Sequence, residues 1–375
     1  MACLSPNGVD TYDLSSAPHR LLVGTIDGVV NMMRDESNRW ERSARALQGH
    51  HVESVMLLPG TETAFAGTHG TGLHRSQDGG NTWTAVGENL GPIIFTLAYV
   101  KEADGLALYA GTEPAGLFRS RDGGDTWHEL AGLKAVPSAG RWNFPAPPHI
   151  AHVKHVTADP RDSRILYVCV EQGALLKSYD GGETFADVEY DDKTYRLNRD
   201  THRVVFTPGD PDRIYLDGGD GIARSEDAGK TWARVTTPEM RVAYPDQLFI
   251  SPDDARVLFV VGGGTPPNIW RQTGKASTAI VRSDDRGQTW RHVGGGLPDG
   301  DQIQGNLEAA TLVRWPGGFG FFAGSSDGEV FASIDKGRTW TLISEALPPV
   351  SKCVHHANLN MGRAKVAGES AAAAR

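Results

Sequence analysis

One eight-residue pattern, Ser-x-Asp-x-Gly-x-Thr-Trp, limits what this chain can fold into more than any other feature. It appears as SQDGGNTW (76–83), SRDGGDTW (120–127), SYDGGETF (178–185), SEDAGKTW (225–232), SDDRGQTW (283–290) and SIDKGRTW (333–340). The steps between the opening serines run from 44 to 58 residues. That length suits one four-stranded propeller blade per repeat. A degenerate seventh copy, MRDESNRW (33–40), keeps Asp35 and Trp40 in register with Asp78 and Trp83. The pattern reads as a β-hairpin turn. Its aspartate accepts hydrogen bonds from turn N–H groups, its glycine supplies a positive φ, and its tryptophan opens the next strand.

The segments around each turn alternate and are rich in β-branched residues, as strands should be. In the second repeat they read VESVMLL (52–58), TAFAGT (63–68) and GLHRS (72–76), followed by a strand after Trp83. The N-terminal RLLVGTIDGVVNMM supplies a second and a third strand with no first strand before them. The C-terminal SKCVHHANL then reads as the strand that closes the ring, since closure protects open sheet edges. The expected fold is all-β: a seven-bladed propeller over residues 1–360 with closure between the N- and C-terminal strands, or six blades if the first is not real. The alanine-rich end, 361–375, reads as a disordered tail.

The turn resembles the Asp box, or BNR repeat, of sialidases, seven-bladed glycosidases, sortilin-like receptors and a photosystem assembly factor. The resemblance covers nearly the whole chain. It implies a propeller in which the motif's aspartates are structural. It does not imply an activity, which has to come from the site. Six-bladed sialidases carry an Arg-Ile-Pro motif that is absent here. Seven-bladed Asp-box glucanases form their cleft between two propellers, whereas this chain has one.

Composition narrows the partners. The net charge of −9 argues against a nucleic-acid backbone. Three cysteines, Cys3, Cys169 and Cys353, form no disulfide framework and no zinc motif. No stretch reads as a secretory signal or a membrane span, so a cytoplasmic location and no membrane contact are expected.

In a propeller the motif turns lie on one face, and the loops entering each inner strand lie on the other. Those loops are long at 128–152 and 186–202, as is the loop on the same face between the second and third strands of blade 6 at 262–279, and long loops in compact domains are usually functional. They carry Trp142, Phe144 and Trp270 as expected pocket walls, with Arg203 and Glu113 as further substrate contacts. Histidines gather at the starts of inner strands: His51, His152, His155, His202, His355 and His356. Strand alternation allows only one of His355 and His356, and only one of His152 and His155, to face the channel. These six are the candidate metal ligands, for one transition metal (Zn, Fe, Cu or Mn). Glu171, Asp246 and Glu308 are the candidate catalytic carboxylates, Glu171 foremost as a base.

GSSDG (324–328) matches a nucleophile-elbow pattern, but it lies in a strand-to-strand hairpin and not before a helix. The expected function is a soluble enzyme, a hydrolase or a metal-dependent oxidoreductase, acting on a small organic substrate at the front mouth of the channel. The alternatives are a glycosidase with two carboxylates about 5–10 Å apart and a non-enzymatic ligand- or protein-binding propeller.

Overall fold

The computed structural model describes residues 1–188, 199–293, 295–297 and 303–373. They form seven sheets, antiparallel except for two N-terminal strands, arranged as a seven-bladed β-propeller, with two α-helices, α1 (Pro267–Thr273) and α2 (Cys353–Ala373). Six sheets have four strands and the seventh has five.

Ring closure differs from the sequence expectation. SKCVHHANL is not a strand; from Cys353 onward it is the start of α2. The same helix covers 361–373, which the sequence reading left as a disordered tail. Alanine favours helix, and the first turns dock: Leu359 is buried beside Trp270, and Gly362 packs on the Trp270 carbonyl. The N-terminus closes the ring instead. Strand β1 (Ala2–Leu4) pairs in parallel with Arg20–Thr25 as the innermost strand of blade 1. Strand β2 (Thr11–Asp13) pairs in parallel with Leu307–Trp315 inside blade 7.

Between β1 and β2 the chain runs along the channel and is held from several blades. Arg203 of blade 5 donates to the Pro6 carbonyl (2.8 Å) and to Asp10 (2.9 Å). Gln247 of blade 6 donates to Pro6 (3.1 Å), Thr96 of blade 3 to the Asn7 carbonyl (2.7 Å), and Thr311 of blade 7 to the Cys3 carbonyl (2.8 Å). A Cβ at Gly8 would collide with the Val55 backbone, so the segment fits only with glycine there. This segment is the axle of the ring.

The six full turns share one geometry. In the first, Asp78 Oδ1 accepts from the N–H of Asn81 (3.1 Å) and Thr82 (2.9 Å), and Oδ2 accepts from the Thr82 hydroxyl (2.7 Å). Ser76 Oγ accepts from the Gly80 N–H (2.8 Å). These bonds hold the Asp78 carboxyl well below its usual range, the Thr82 hydroxyl contributing most. Neighbouring blades are stitched through the same turns. The residue before the serine donates to the next blade's turn: Arg119 to the Gly181 carbonyl, Lys177 to Ala228 (3.1 Å) and Arg224 to Arg286 (3.1 Å).

The motif glycine has two constraints at once. Gly124 sits at φ +90°, and a Cβ there would lie 2.5 Å from Phe65 Cζ in the core of the adjacent blade. Gly124→Ala is expected to lower stability by about 1–3 kcal/mol, from backbone strain and overpacking. Chemical denaturation should show the fall. Unchanged stability would contradict this account of the repeat.

Candidate functional site

Each inner strand of blades 2 to 7 contains one register shift close to its start. The extra residues are Glu53, Phe95, Lys154, His202, Asp246 and Glu308. A β-bulge leaves one residue unpaired and re-aims its side chain. Repeated six times at the same depth, it builds a ring of mostly ionisable groups at the end of the channel opposite the motif turns. Blade 1 has no such strand. Its place is filled by Lys352, just ahead of α2.

Glu171, which ends the second strand of blade 4, is the hub. Its Oε1 lies 3.0 Å from Lys154 Nζ, 3.6 Å from His202 Nε2 and 3.5 Å from the Tyr244 hydroxyl. Its Oε2 lies 2.8 Å from His152 Nε2. Burial alone would raise its pKa, but Lys154 and His152 hold it well below the usual carboxylate value. The other ring nitrogen of His152 meets Glu113 Oε2 at 3.1 Å, and the ring stacks on Phe95 with centroids 3.6 Å apart. Burial opposes charge on His152, yet the bonds to Glu113 and Glu171 outweigh it and raise its pKa. Burial lowers the pKa of Lys154, with Glu171 opposing.

A second group lies across the channel. Lys352 Nζ pairs with Asp246, whose other oxygen accepts from Asn306 Nδ2 (2.7 Å). Glu308 accepts from the Lys352 N–H (2.8 Å) and the Ser351 hydroxyl (3.1 Å), and it faces His355 Nδ1 at 3.3 Å. Burial would lower the Lys352 pKa, but Asp246, Glu171 and Glu308 raise it.

Two cavities open on this ring. One, of about 240 Å³, is lined by Gln172, Asp200, Tyr244, Asn268 and Asn358 among others. The other, of about 120 Å³, is lined by Glu53, Glu113, His152, Glu171, Lys352 and an apolar wall. Phe144, Val354 and His355 border both and so form the partition between them.

Glu171, His152, His202, Glu113, His355 and Phe144 therefore come together, with Asp246 and Glu308 behind them. His51 stands at the edge, 2.9 Å from the Ser351 carbonyl and 3.7 Å from Glu53. Other expected positions are elsewhere. Trp270 is fully buried between α1 and α2, its N–H bonded to the Thr265 carbonyl (2.8 Å). Trp142 packs on the blade 3–4 core and donates to Ser138 (2.9 Å). Neither lines either of these two cavities, because each indole finds apolar cover and a local acceptor. Arg203 is occupied by the N-terminal axle.

His155 lies past the bulge and accepts the Val204 N–H (3.4 Å); burial, with Arg203 nearby, pushes its pKa to about 3. His356 turns away on α2 toward Asn360. The six histidines do not form one ligand set. Among the described residues, Glu171, Asp200 and His202 bring potential ligand atoms within 4.8 Å of one another. Most of the loop at 186–202 falls at 189–198, outside the described residues.

The sequence reading missed Glu53, Lys154, Lys352, Asp200 and Tyr244. Aligning the inner strands on their second or third residue would have exposed the first two.

Beneath the ring, Asp217 is fully buried and neither carboxylate oxygen has a hydrogen-bond partner among the described residues. Burial raises its pKa to about 6. The folded protein thus keeps a proton that the unfolded chain releases near pH 4, so stability falls as pH rises from about 4 to 6, by up to roughly 3 kcal/mol. In Asp217→Asn that decline should vanish from the pH–stability profile. A profile unchanged by the substitution would refute the assignment.

Comparison with known proteins agrees with the architecture. The Sortilin-Vps10 family model (sortilin, neurotensin receptor 3) matches residues 173–297. A xyloglucanase of Hypocrea jecorina (strain QM6a) is 25% identical over 233 residues, covering 51% of this chain and 25% of that protein. The chain thus spans about a quarter of that relative's length. Among solved structures, an ancestral GH74 enzyme superposes with a TM-score of 0.58 at 16% identity, over 79% of this chain and 39% of its own. YCF48 from Cyanidioschyzon merolae superposes with a TM-score of 0.54 at 18% identity, over 86% and 94%. At these identities the structural likeness is one of fold, a β-propeller.

Proposed function

We propose that the front mouth is an acid/base site that hydrolyses a small, hydroxyl-bearing organic substrate, with glycosides the first class to test. The observation that carries this is the Glu171–His152 pair. It joins an ionised carboxylate to a histidine held in its charged form, 2.8 Å apart, and both line the same cavity. Glu171 takes a proton from water as the hydroxyl oxygen bonds to the substrate carbon. His152 gives the Nε2 proton it otherwise shares with Glu171 to the departing oxygen, its Nδ1 staying bonded to Glu113. The short Glu171–His152 contact then returns the proton, so the pair ends as it began. Lys154 and Glu113 are positioning residues that keep the two charge states in place. The similarity to a xyloglucanase supports the glycoside class. The polar cavity beside Asp200, Gln172 and Asn268 suits hydroxyl groups.

A second reading rests on Glu171, Asp200 and His202, whose spacing and donor types suit one transition metal (Zn, Fe, Cu or Mn). The Lys154 ammonium, 3.0 Å from Glu171, opposes a cation there.

A panel of nitrophenyl glycosides and esters, assayed with purified protein, tests the first reading. Turnover on at least one member should fall by roughly 10²–10⁴-fold in Glu171→Gln, with the circular dichroism spectrum retained. Wild-type turnover in Glu171→Gln would overturn it. Turnover abolished by a chelator and restored by one metal would favour the second reading.

A further inference from the structure

The carboxylates of the mouth are not equally matched. Glu171 has Lys154 and His152, and Asp246 has Lys352 and Lys154. Glu308 accepts two hydrogen bonds and faces His355. Among the described residues, Glu53 has no lysine or arginine partner. Its ion-pair contacts are the imidazoles of His51 (3.7 Å) and His69 (3.3 Å), both through Oε1. Its Oε2 is buried without a hydrogen-bond partner, and the side chain is 1% exposed. Leaving a buried carboxylate oxygen unpaired is costly. The bulge in the inner strand of blade 2 nonetheless places Glu53 on the wall of the 120 Å³ cavity.

The rest of that wall fits one kind of guest. Phe95, Phe144, Pro147, Pro148, Ile150 and Val354 supply apolar and aromatic surface. Of the basic groups in the wall, Lys352 pairs with Asp246, His152 with Glu113 and Glu171, and His355 with Glu308, while the His69 imidazole stands beside Glu53 Oε1 and leaves Oε2 open. A guest carrying an ammonium group on a small apolar body would pair with Glu53, and aromatic faces attract such cations.

We infer that this cavity binds a small organic ammonium ion, with Glu53 as its counter-charge and the Phe95–Phe144 wall around its carbon skeleton. The inference deepens the proposed function, since the cavity borders Glu171 and His152; it makes the preferred substrate an amine-bearing one. A neutral hydroxyl compound offers Glu53 Oε2 a hydrogen bond but no positive charge, and a carboxylate would be repelled.

Titration calorimetry with benzylammonium, benzyl alcohol and benzoate on the intact protein tests this. Benzylammonium should bind saturably at one site, at least tenfold more tightly than benzyl alcohol, with benzoate weakest. Glu53→Gln should reduce benzylammonium binding by at least tenfold, with little effect on benzyl alcohol. Benzoate binding as tight as benzylammonium, no saturable binding of any of the three, or a folded Glu53→Gln with undiminished binding would each overturn the inference. The comparison among the three probes on the native protein decides the matter even if Glu53→Gln does not fold. The readout is equilibrium binding, so an absence of hydrolysis would not affect it. Equally, failure to bind ammonium would leave the hydrolase reading to its own assay.

Discussion

Everything at the front of this molecule depends on a bulge repeated in six inner strands. Seven sheets around one axis bring their first strands close together, and regular pairing would point alternate side chains along the neighbouring blades. One extra residue per strand, from Glu53 in blade 2 to Glu308 in blade 7, breaks that alternation at a common depth. The local twist turns the extra side chain toward the axis. Blade geometry and site chemistry therefore share one cause. Blade 1, where a parallel three-residue strand replaces the usual inner strand, gives no such residue, and Lys352 from the chain's other end takes the vacant sector.

The ring brings buried charges together, and burial alone would neutralise them. The carboxylates of Glu171 and Asp246 remain ionised because lysine and histidine cations stand against them. Each such pair is stabilising only while complete, since removing one partner leaves a buried charge exposed to the low-dielectric interior. The N-terminal axle supplies the floor of this arrangement. Arg203 is committed to Pro6 and Asp10. The C-terminal helix supplies the wall through Val354, His355 and Asn358. The two chain ends thus have separate duties: one closes the ring and the other completes the site.

How much of this was legible depended on the length of the signal. The repeat carries six aligned copies and a degenerate seventh, so the blade count was readable from spacing, and the faces from where propeller geometry puts the motif turns. His152, His202, Asp246 and Glu308 were readable because they sit where inner strands begin, and Glu171 because it ends a second strand at the same face. Strand β1 was not, because three residues hold no periodicity. One histidine of each pair reaches the site, His152 and His355, but strand alternation is not the reason: the bulge at Lys154 resets alternation before His155, and His355 and His356 lie on a helix. Trp142 and Trp270 looked like pocket walls, but a large apolar ring with one N–H is better satisfied in the core. Lys154 and Lys352 were overlooked because lysine is usually a surface residue, and only the surrounding carboxylates make its burial tolerable.

The central claim is that the mouth holds an ionised Glu171 against a charged His152. Nitrogen-15 NMR of histidine-labelled protein, titrated from pH 5 to 9 with His152 assigned by substitution, measures this directly. Both ring nitrogens of His152 should stay protonated above the ordinary histidine range near pH 6.5, losing the proton and the ion pairs with Glu113 and Glu171 only as pH climbs through the raised value. A His152 that titrates at or below pH 6.5 would contradict the account and remove the proton donor from the proposed chemistry.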